Sequence, residues 1–458
     1  MTDTSVANAA LRADIANAID ELCRWAVRTL EQPLPGPARH KARMVLIDDL
    51  AATFASRGEP ELVTLREQAR PGDEATMILP GAPRTDKMSA ARLNGLMGCW
   101  AELDEGYRGV PAHAAIYILP ALLAEAEAQN TTTAAVIDKL AVAYELVARI
   151  AETWRFAAAT IHPHAALAGI GAAIGASLGR GVAAPVMADA LKIASGLVPA
   201  GTYEAAVEGA LVRNIWTSHG AITGIHAVDW AQAGLSGFPD GPFTAFTGLL
   251  NAETDAGALL RELGTRWAIL SGYHKLHGCC HSTHCAVEAA LDLRARLGPE
   301  AATADITAIR LRTHRPMMSN RSPHNSLAAR FSFEHVVAAA LVVGHAGPDA
   351  FSLATIHDAE VARLRHLITL ARYEPLPAWP QDRPAHLVAT FADGTSMEAE
   401  CLSAPGGPDR PLDAEGVIAK ADVLTREAAP HFASSARALM TDDTGTIRQT
   451  LADLLRSA

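Results

Sequence analysis

Lysine is scarce in this chain. The 458 residues hold 39 basic side chains, but lysine occurs only at Lys41, Lys87, Lys139, Lys192, Lys275 and Lys420. Acidic residues outnumber basic ones, and the net charge of −11 argues against nucleic acid or an anionic membrane as a general partner. It leaves room for a small anion, because a local cluster of Arg, Lys and His can focus positive potential inside an acidic protein. The first 30 residues carry Asp14, Asp20 and Glu21 and lack a basic start followed by an apolar run, so no signal peptide is expected. The longest stretch without charge or histidine, 165–179, is too short and too rich in Gly and Ala to span a bilayer. The six cysteines (Cys23, Cys99, Cys279, Cys280, Cys285 and Cys401) are scattered apart from one cluster. They read as free thiols in a reducing compartment, which makes a cytoplasmic location the expectation.

Against this background one segment is dense in chemistry. Residues 273–284 read Tyr-His-Lys-Leu-His-Gly-Cys-Cys-His-Ser-Thr-His, with His274, His277, His281 and His284 around Lys275. A lysine among imidazoles fits a site that handles anions or protons. Cys280, His281 and His284 also offer zinc-ligand types, but a structural zinc site calls for a second, separated ligand pair that the sequence does not supply. The plainer alternative is a polar loop.

The pattern of apolar residues divides the chain. Helical spacing runs through 22–30, 38–54, 89–102, 114–128, 133–153, 164–178 and 185–197, with Asp86 and Thr131 to Thr133 as caps. Near Ser271 the pattern changes. Residues 305–313 alternate like a strand, and 386–401 read as a hairpin turning at Asp393-Gly394. Helices at 285–297 and 333–343 lie between, and after 404–411 the chain returns to helix. The expectation is a mainly α protein. A discontinuous all-helical domain (1–268 and 404–458) is interrupted by a smaller α/β lid domain (269–403).

Three further segments carry candidate side chains. Glu102, Asp104 and Glu105 place three carboxylates in four residues at a helix end, followed by Tyr107, Arg108 and His113. Burying them would be costly, so a solvated loop is the plainer reading. His162-Pro163 puts an imidazole at the mouth of a helix, where the dipole favours the neutral form suited to a general base; simple capping is the alternative. The glycines Gly169, Gly171 and Gly175 lack the preceding strand of a nucleotide loop and fit close helix packing instead. Arg213 opens the segment Arg-Asn-Ile-Trp-Thr-Ser-His, and a surface position is its plainer reading.

In this order the segments resemble the MmgE/PrpD family, which includes 2-methylcitrate dehydratase, cis-aconitate decarboxylase and iminodisuccinate epimerase. The resemblance rests on Ile47-Asp48-Asp49-Leu50, Glu102-Leu-Asp104-Glu105 with His113, Tyr144-Glu145 with Arg149, Ile161-His162-Pro163, the run from Lys275 to His284, Ala329-Arg330-Phe331-Ser332-Phe333, and Pro405-Gly406 with Pro411-Leu412 and Lys420. It implies an active site in a crevice between helical domain and lid, a homodimer, and no metal or organic cofactor. Carried over by position, His162, Lys275, His113 and Glu102 fall on catalytic positions, with Arg213, Asp104, Tyr107 and His277 contacting substrate. His162 is taken as the base, with Lys275 as a second option, and His113 or Glu102 as the acid. Gly106, Arg213, Trp216 and His277-Gly278 depart from the family pattern. The expected activity is a lyase that removes a proton beside a carboxylate of a small di- or tricarboxylic acid, most simply a dehydratase. An epimerase, a zinc-dependent hydrolase and a ligand-binding relative without turnover are the alternatives. The departures place cis-aconitate decarboxylation last among the named activities.

Overall fold

The computed structural model describes residues 2–156, 160–199, 201–297 and 303–457. It is mainly helical. Long helices Gly36–Phe54, Lys87–Trp100, Ala114–Ala128, Thr133–Thr153, Pro163–Arg180 and Val212–Gln232 form the bulk, joined late in the chain by Ala414–Thr425, Phe432–Thr441 and Ile447–Leu454. The expected caps are in place. Asp86 accepts from the backbone N–H groups of Met88 and Ser89, and Thr132 accepts from that of Ala135, satisfying donors that a helix start leaves free. No helix among the described residues is long and apolar enough to cross a membrane.

Glycine sets how closely these helices approach. A Cβ at Gly171 or Gly175 would fall 2.6 Å from Tyr117 or Ile118, and one at Gly220 or Gly224 would strike Ala168 or Ala172. Helix Pro163–Arg180 is therefore clamped between helices Ala114–Ala128 and Val212–Gln232, backbone nearly on backbone. The glycines of 169–175 are packing residues and not a nucleotide loop. Helix Val212–Gln232 is absent from the helices that periodicity picks out. Its buried face includes Asn214, Thr217, Ser218 and Thr223, so apolar spacing gives it no signal.

Apolar burial falls into two large cores and one small one. The first draws on residues from Ile15 to Ile269 and again from Val417 to Leu455. The second draws on Cys279 to Ala404, with Ala206. The second core lies on a four-stranded sheet in the order Ile368–Arg372, Ile306–Thr313, Ala385–Phe391, Ser396–Cys401. The first pair is parallel and the other two are antiparallel. The hairpin turns at Gly394, whose φ of +83° suits glycine. Strand Ile368–Arg372 was not foreseen.

A short antiparallel pair stitches the two cores together. Gly106 faces Tyr273, and Tyr107 faces Gly272. This brings the run after Tyr273 alongside the carboxylates before Gly106.

Candidate functional site

Helix Lys87–Trp100 ends at Ala101, and the chain turns sharply. Glu102 has φ +54°, a left-handed conformation that costs a residue with a Cβ about 1–3 kcal/mol. The turn drives Glu102, Asp104 and Glu105 inward, and all three are buried. The solvated-loop reading of this segment is therefore overturned.

Each carboxylate has its own partner. Glu102 is gripped by Arg213 and accepts from Lys275 Nζ at 2.9 Å. Asp104 accepts from Lys275 at 3.4 Å and meets His113 Nδ1 at 2.7 Å. Glu105 accepts from Tyr144 Oη at 2.5 Å. Burial alone would raise all three pKa values. The Arg213 and Lys275 charges overcome it at Glu102 and hold that carboxyl down at about 2. Lys275 and His113 hold Asp104 well below the usual range. Glu105 has no adequate cation, and burial lifts it to about 8.

Lys275 is fully buried, yet Asp104 and Glu102 raise its pKa above the ordinary lysine value, which favours the ammonium. The two cations at Glu102 likewise favour its carboxylate form.

The two imidazoles differ in what stands behind them. His162 caps helix Pro163–Arg180, its Nδ1 accepting from the His164 backbone N–H at 3.1 Å. Its Nε2 lies 3.4 Å from Arg213 Nε. A neutral imidazole has one acceptor nitrogen, so only one of these contacts is a hydrogen bond. The cap is shorter and fixed by backbone, which puts the proton on Nε2. Burial, then the Arg213 charge, pushes the His162 pKa well below its usual value. His162 is thus held neutral. His113 differs. Its Nδ1–H donates to the Asp104 carboxylate, which leaves Nε2 as the ring nitrogen turned away from that carboxylate.

His162, His113, Glu102, Arg213 and Tyr107 line one cavity, together with Tyr203, Tyr273, Cys280, His281, Arg315, Phe331 and Arg383. Phe331 lies 5.3 Å beneath the Arg213 guanidinium, and Tyr203 stacks on His162 at 5.4 Å. Arg213, expected at the surface on its own sequence, is fully buried. Lys275 and Asp104 stand just behind the cavity wall. His277 lies away from it and pairs with Glu288 at 2.6 Å. A larger cavity of ≈ 340 Å³ adjoins, sharing Pro111, Pro163, Tyr203 and Arg315, but its remaining walls (Val110, Trp154, Ile161 and Leu167 among them) are mostly apolar and offer no acid or base.

The motif residues outside the cavity hold it together. Asp48 joins Lys420 at 2.6 Å and His274 at 2.8 Å, and Lys420 also donates to the Leu103 carbonyl at 2.6 Å. Asp49 accepts from the Glu105 N–H at 2.7 Å. Arg330 donates to the carbonyls of Ala101 (2.8 Å) and Gly278, tying the helix end to the Lys275 segment. A Cβ at Gly278 would lie 2.8 Å from Arg330, and one at Gly106 would lie 2.4 Å from Tyr273 Oη. Both departures from the family pattern therefore fit their neighbours here.

Cys280, His281 and His284 do not converge as zinc ligands. His281 Nδ1 faces Arg383 at 2.8 Å, and His284 Nε2 meets the Cys279 carbonyl at 3.2 Å. The grouping among the described residues that could surround an ion is Asp104, His113 and His164. Its Asp104 and His113 already pair with each other, and Asp104 also accepts from Lys275. Arg315, Arg383 and His281 were not singled out as substrate contacts in the sequence. The two arginines belong to no motif, and only topology brings their loops to this cavity.

Comparison with known proteins agrees with the family resemblance. Residues 20–258 match the MmgE/PrpD N-terminal domain, and 277–443 match the MmgE/PrpD C-terminal domain. The chain is 23% identical over 432 residues to the cis-aconitate decarboxylase-like protein oryM of Aspergillus oryzae, covering 86% of this chain and 88% of that one. It is 23% identical over 438 residues to cis-aconitate decarboxylase of Aspergillus terreus, covering 87% of each. With both domain models matched along most of its length, the chain belongs to the MmgE/PrpD family.

Proposed function

We propose that this protein is a cofactor-independent lyase that removes the proton beside a carboxylate of a small di- or tricarboxylic acid and expels water. The observation that carries this is the Asp104–His113 pair opening onto a cavity that also holds the His162 N–H and the Glu102–Arg213 ion pair. A proton beside a carboxylate is weakly acidic, so its removal needs a positioned base and donors for the charge that develops. His113 Nε2 takes the proton, and Asp104 stabilises the imidazolium. His162 Nε2–H and Arg213 donate to the carboxylate as charge builds on it. The leaving hydroxide then takes the proton back from His113 and departs as water. In this reading His113 replaces His162 as the base, because the cap occupies the only acceptor nitrogen of His162.

The two large cores fit a helical body (1–268 and 404–458) and a lid (269–403), with the cavity between them. Closing such a lid would exclude water and strengthen every charge inside. A second reading is favoured by the relatives. Both are named for decarboxylation of cis-aconitate; in that reaction His113 starts as the imidazolium, charged with a proton from solvent, and delivers it to the carbanion left when carbon dioxide departs. The comparisons thus bring decarboxylation forward from the last place given to it on sequence.

The test incubates the protein in deuterated water with hydroxy-, imino- and unsaturated polycarboxylates and follows them by NMR. Deuterium exchange with loss of water supports the dehydratase, exchange alone an epimerase, and loss of carbon dioxide the second reading. His113→Ala should abolish the reaction, and exchange at the wild-type rate in that variant would refute the base assignment. Chelators should leave the rate unchanged. A loss restored by zinc would move the reading to a metal-dependent hydrolase.

A further inference from the structure

The cavity is charged unevenly. On the wall from the helical core, Arg213 is already matched by Glu102. On the wall from the second core, Arg383 and Arg315 have no carboxylate within 4 Å among the described residues, and nearby Arg108 is spent on Asp382. Burial depresses the Arg383 pKa, and the like charge of Arg108 depresses it further. Both guanidiniums are half-buried and face the cavity with no carboxylate partner, so this wall lacks the negative charge that the opposite wall holds.

The geometry of the unpaired groups is specific. Arg383 lies 2.8 Å from His281 Nδ1. A guanidinium can only donate, so His281 Nδ1 accepts and the ring proton sits on Nε2. That Nε2 is buried and has no partner. The Tyr273 ring packs on His281 at 4.1 Å and fixes its plane. One N–H of Arg383 is thus held by His281, and the rest of its donor fork is left at the cavity wall, where a carboxylate can accept from it. Arg315 differs. Its guanidinium lies over Tyr203 at 5.7 Å, where the two cavities meet, and it is placed to attract an anion at the entrance.

We propose that Arg383 and His281 form the subsite that holds the substrate carboxylate remote from the reacting carbon, and so determine which acids the cavity accepts. This rests on the reading that the substrate is a small polycarboxylate. The reacting end meets His113, His162 and Arg213, and the far end meets Arg383 and His281.

The test uses binding and needs no turnover. Calorimetry on the full chain compares succinate with succinamate, in which a neutral amide replaces one carboxylate. The wild type should prefer succinate by about 10- to 100-fold, the range for charge-assisted hydrogen bonds. Arg383→Gln should bind succinate no better than the wild type binds succinamate, with succinamate affinity unchanged. Arg383→Lys, which keeps the charge and loses the fork, should recover part of the preference. His281→Phe should lower it less than Arg383→Gln. The proposal is overturned if the wild type shows no preference for the dianion, or if Arg383→Gln keeps it. Should Arg383→Gln fail to fold by circular dichroism, unchanged preference in both Arg383→Lys and His281→Phe overturns it equally. His113→Ala separates this claim from the reaction itself, since it should retain the succinate preference while losing exchange.

Discussion

The two walls of the cavity solve opposite problems. On the helical wall the carboxylates are matched, Glu102 by Arg213 and both Glu102 and Asp104 by Lys275, which reaches in from the second segment. On the opposite wall Arg315 and Arg383 have no carboxylate partner among the described residues, and Arg383 is held by His281. A matched wall is rigid before anything binds, which suits groups that must be aligned for proton transfer. An unmatched wall is completed by the ligand, which suits a surface that selects it. In the proposed reading, proton transfer and selection sit on different faces of the cavity, near the strand pair at Gly106 and Tyr273.

The largest effect should come from unbalancing the matched wall. Lys275→Met leaves Glu102 and Asp104 buried with too little positive charge. Breaking a buried pair by removing one partner costs about 3–5 kcal/mol. Chemical denaturation should show a loss of that order, with proton exchange abolished. A variant as stable as the wild type would show that the wall does not depend on its ammonium.

Next is Asp104→Asn, which keeps the shape but no longer fixes the His113 proton on Nδ1. General-base catalysis is worth about 10²–10⁴-fold, and a loss in that range in kcat is expected. A fall in KM alone, with kcat intact, would contradict the proton-transfer role.

A third prediction concerns the stitch between the walls. Gly106→Ala places a methyl against the Tyr273 ring and should cost about 1–3 kcal/mol through overpacking. Tyr273→Leu should relieve part of it in a double-mutant cycle. Additive effects would mean that the ring is not the obstacle.

A pH effect sharpens the comparison through Glu105, the carboxyl of this cluster without an adequate cation. Its folded pKa, raised by burial to about 8, exceeds the ordinary value of 4.5. The folded state therefore holds the proton more tightly than the unfolded chain. Stability is greatest below pH 4.5 on this account and declines as pH rises towards 8. Glu105→Gln, which mimics the protonated form, should match the wild type in melting temperature at pH 5 and exceed it at pH 8. An equal decline in both proteins would assign the pH dependence elsewhere.

Much of the architecture could be read from the chain. Helical spacing located most of the long helices, and Asp393-Gly394 located the hairpin. Helix Val212–Gln232 escaped because its buried face carries polar residues that pack on glycine-lined neighbours. For the site, the motifs located Glu102, His113, His162 and Arg213, and all four line one cavity. His277, drawn from the same segment as Lys275, pairs with Glu288 away from it.

Roles were less legible than positions, because protonation depends on neighbours far away in sequence. His162 and His113 are both histidines beside helix starts. One has its lone pair taken by a backbone N–H, and the other has an aspartate behind it. Lys275 lies 173 residues from Glu102, and that pairing favours its charged form. The order of apolar and polar residues thus determined which segments become helix, strand and turn, because those periodicities act over a few neighbours. Only the tertiary structure decided which charges are cancelled and which await a ligand, because Coulomb energy and desolvation depend on distance and burial that the linear order does not contain.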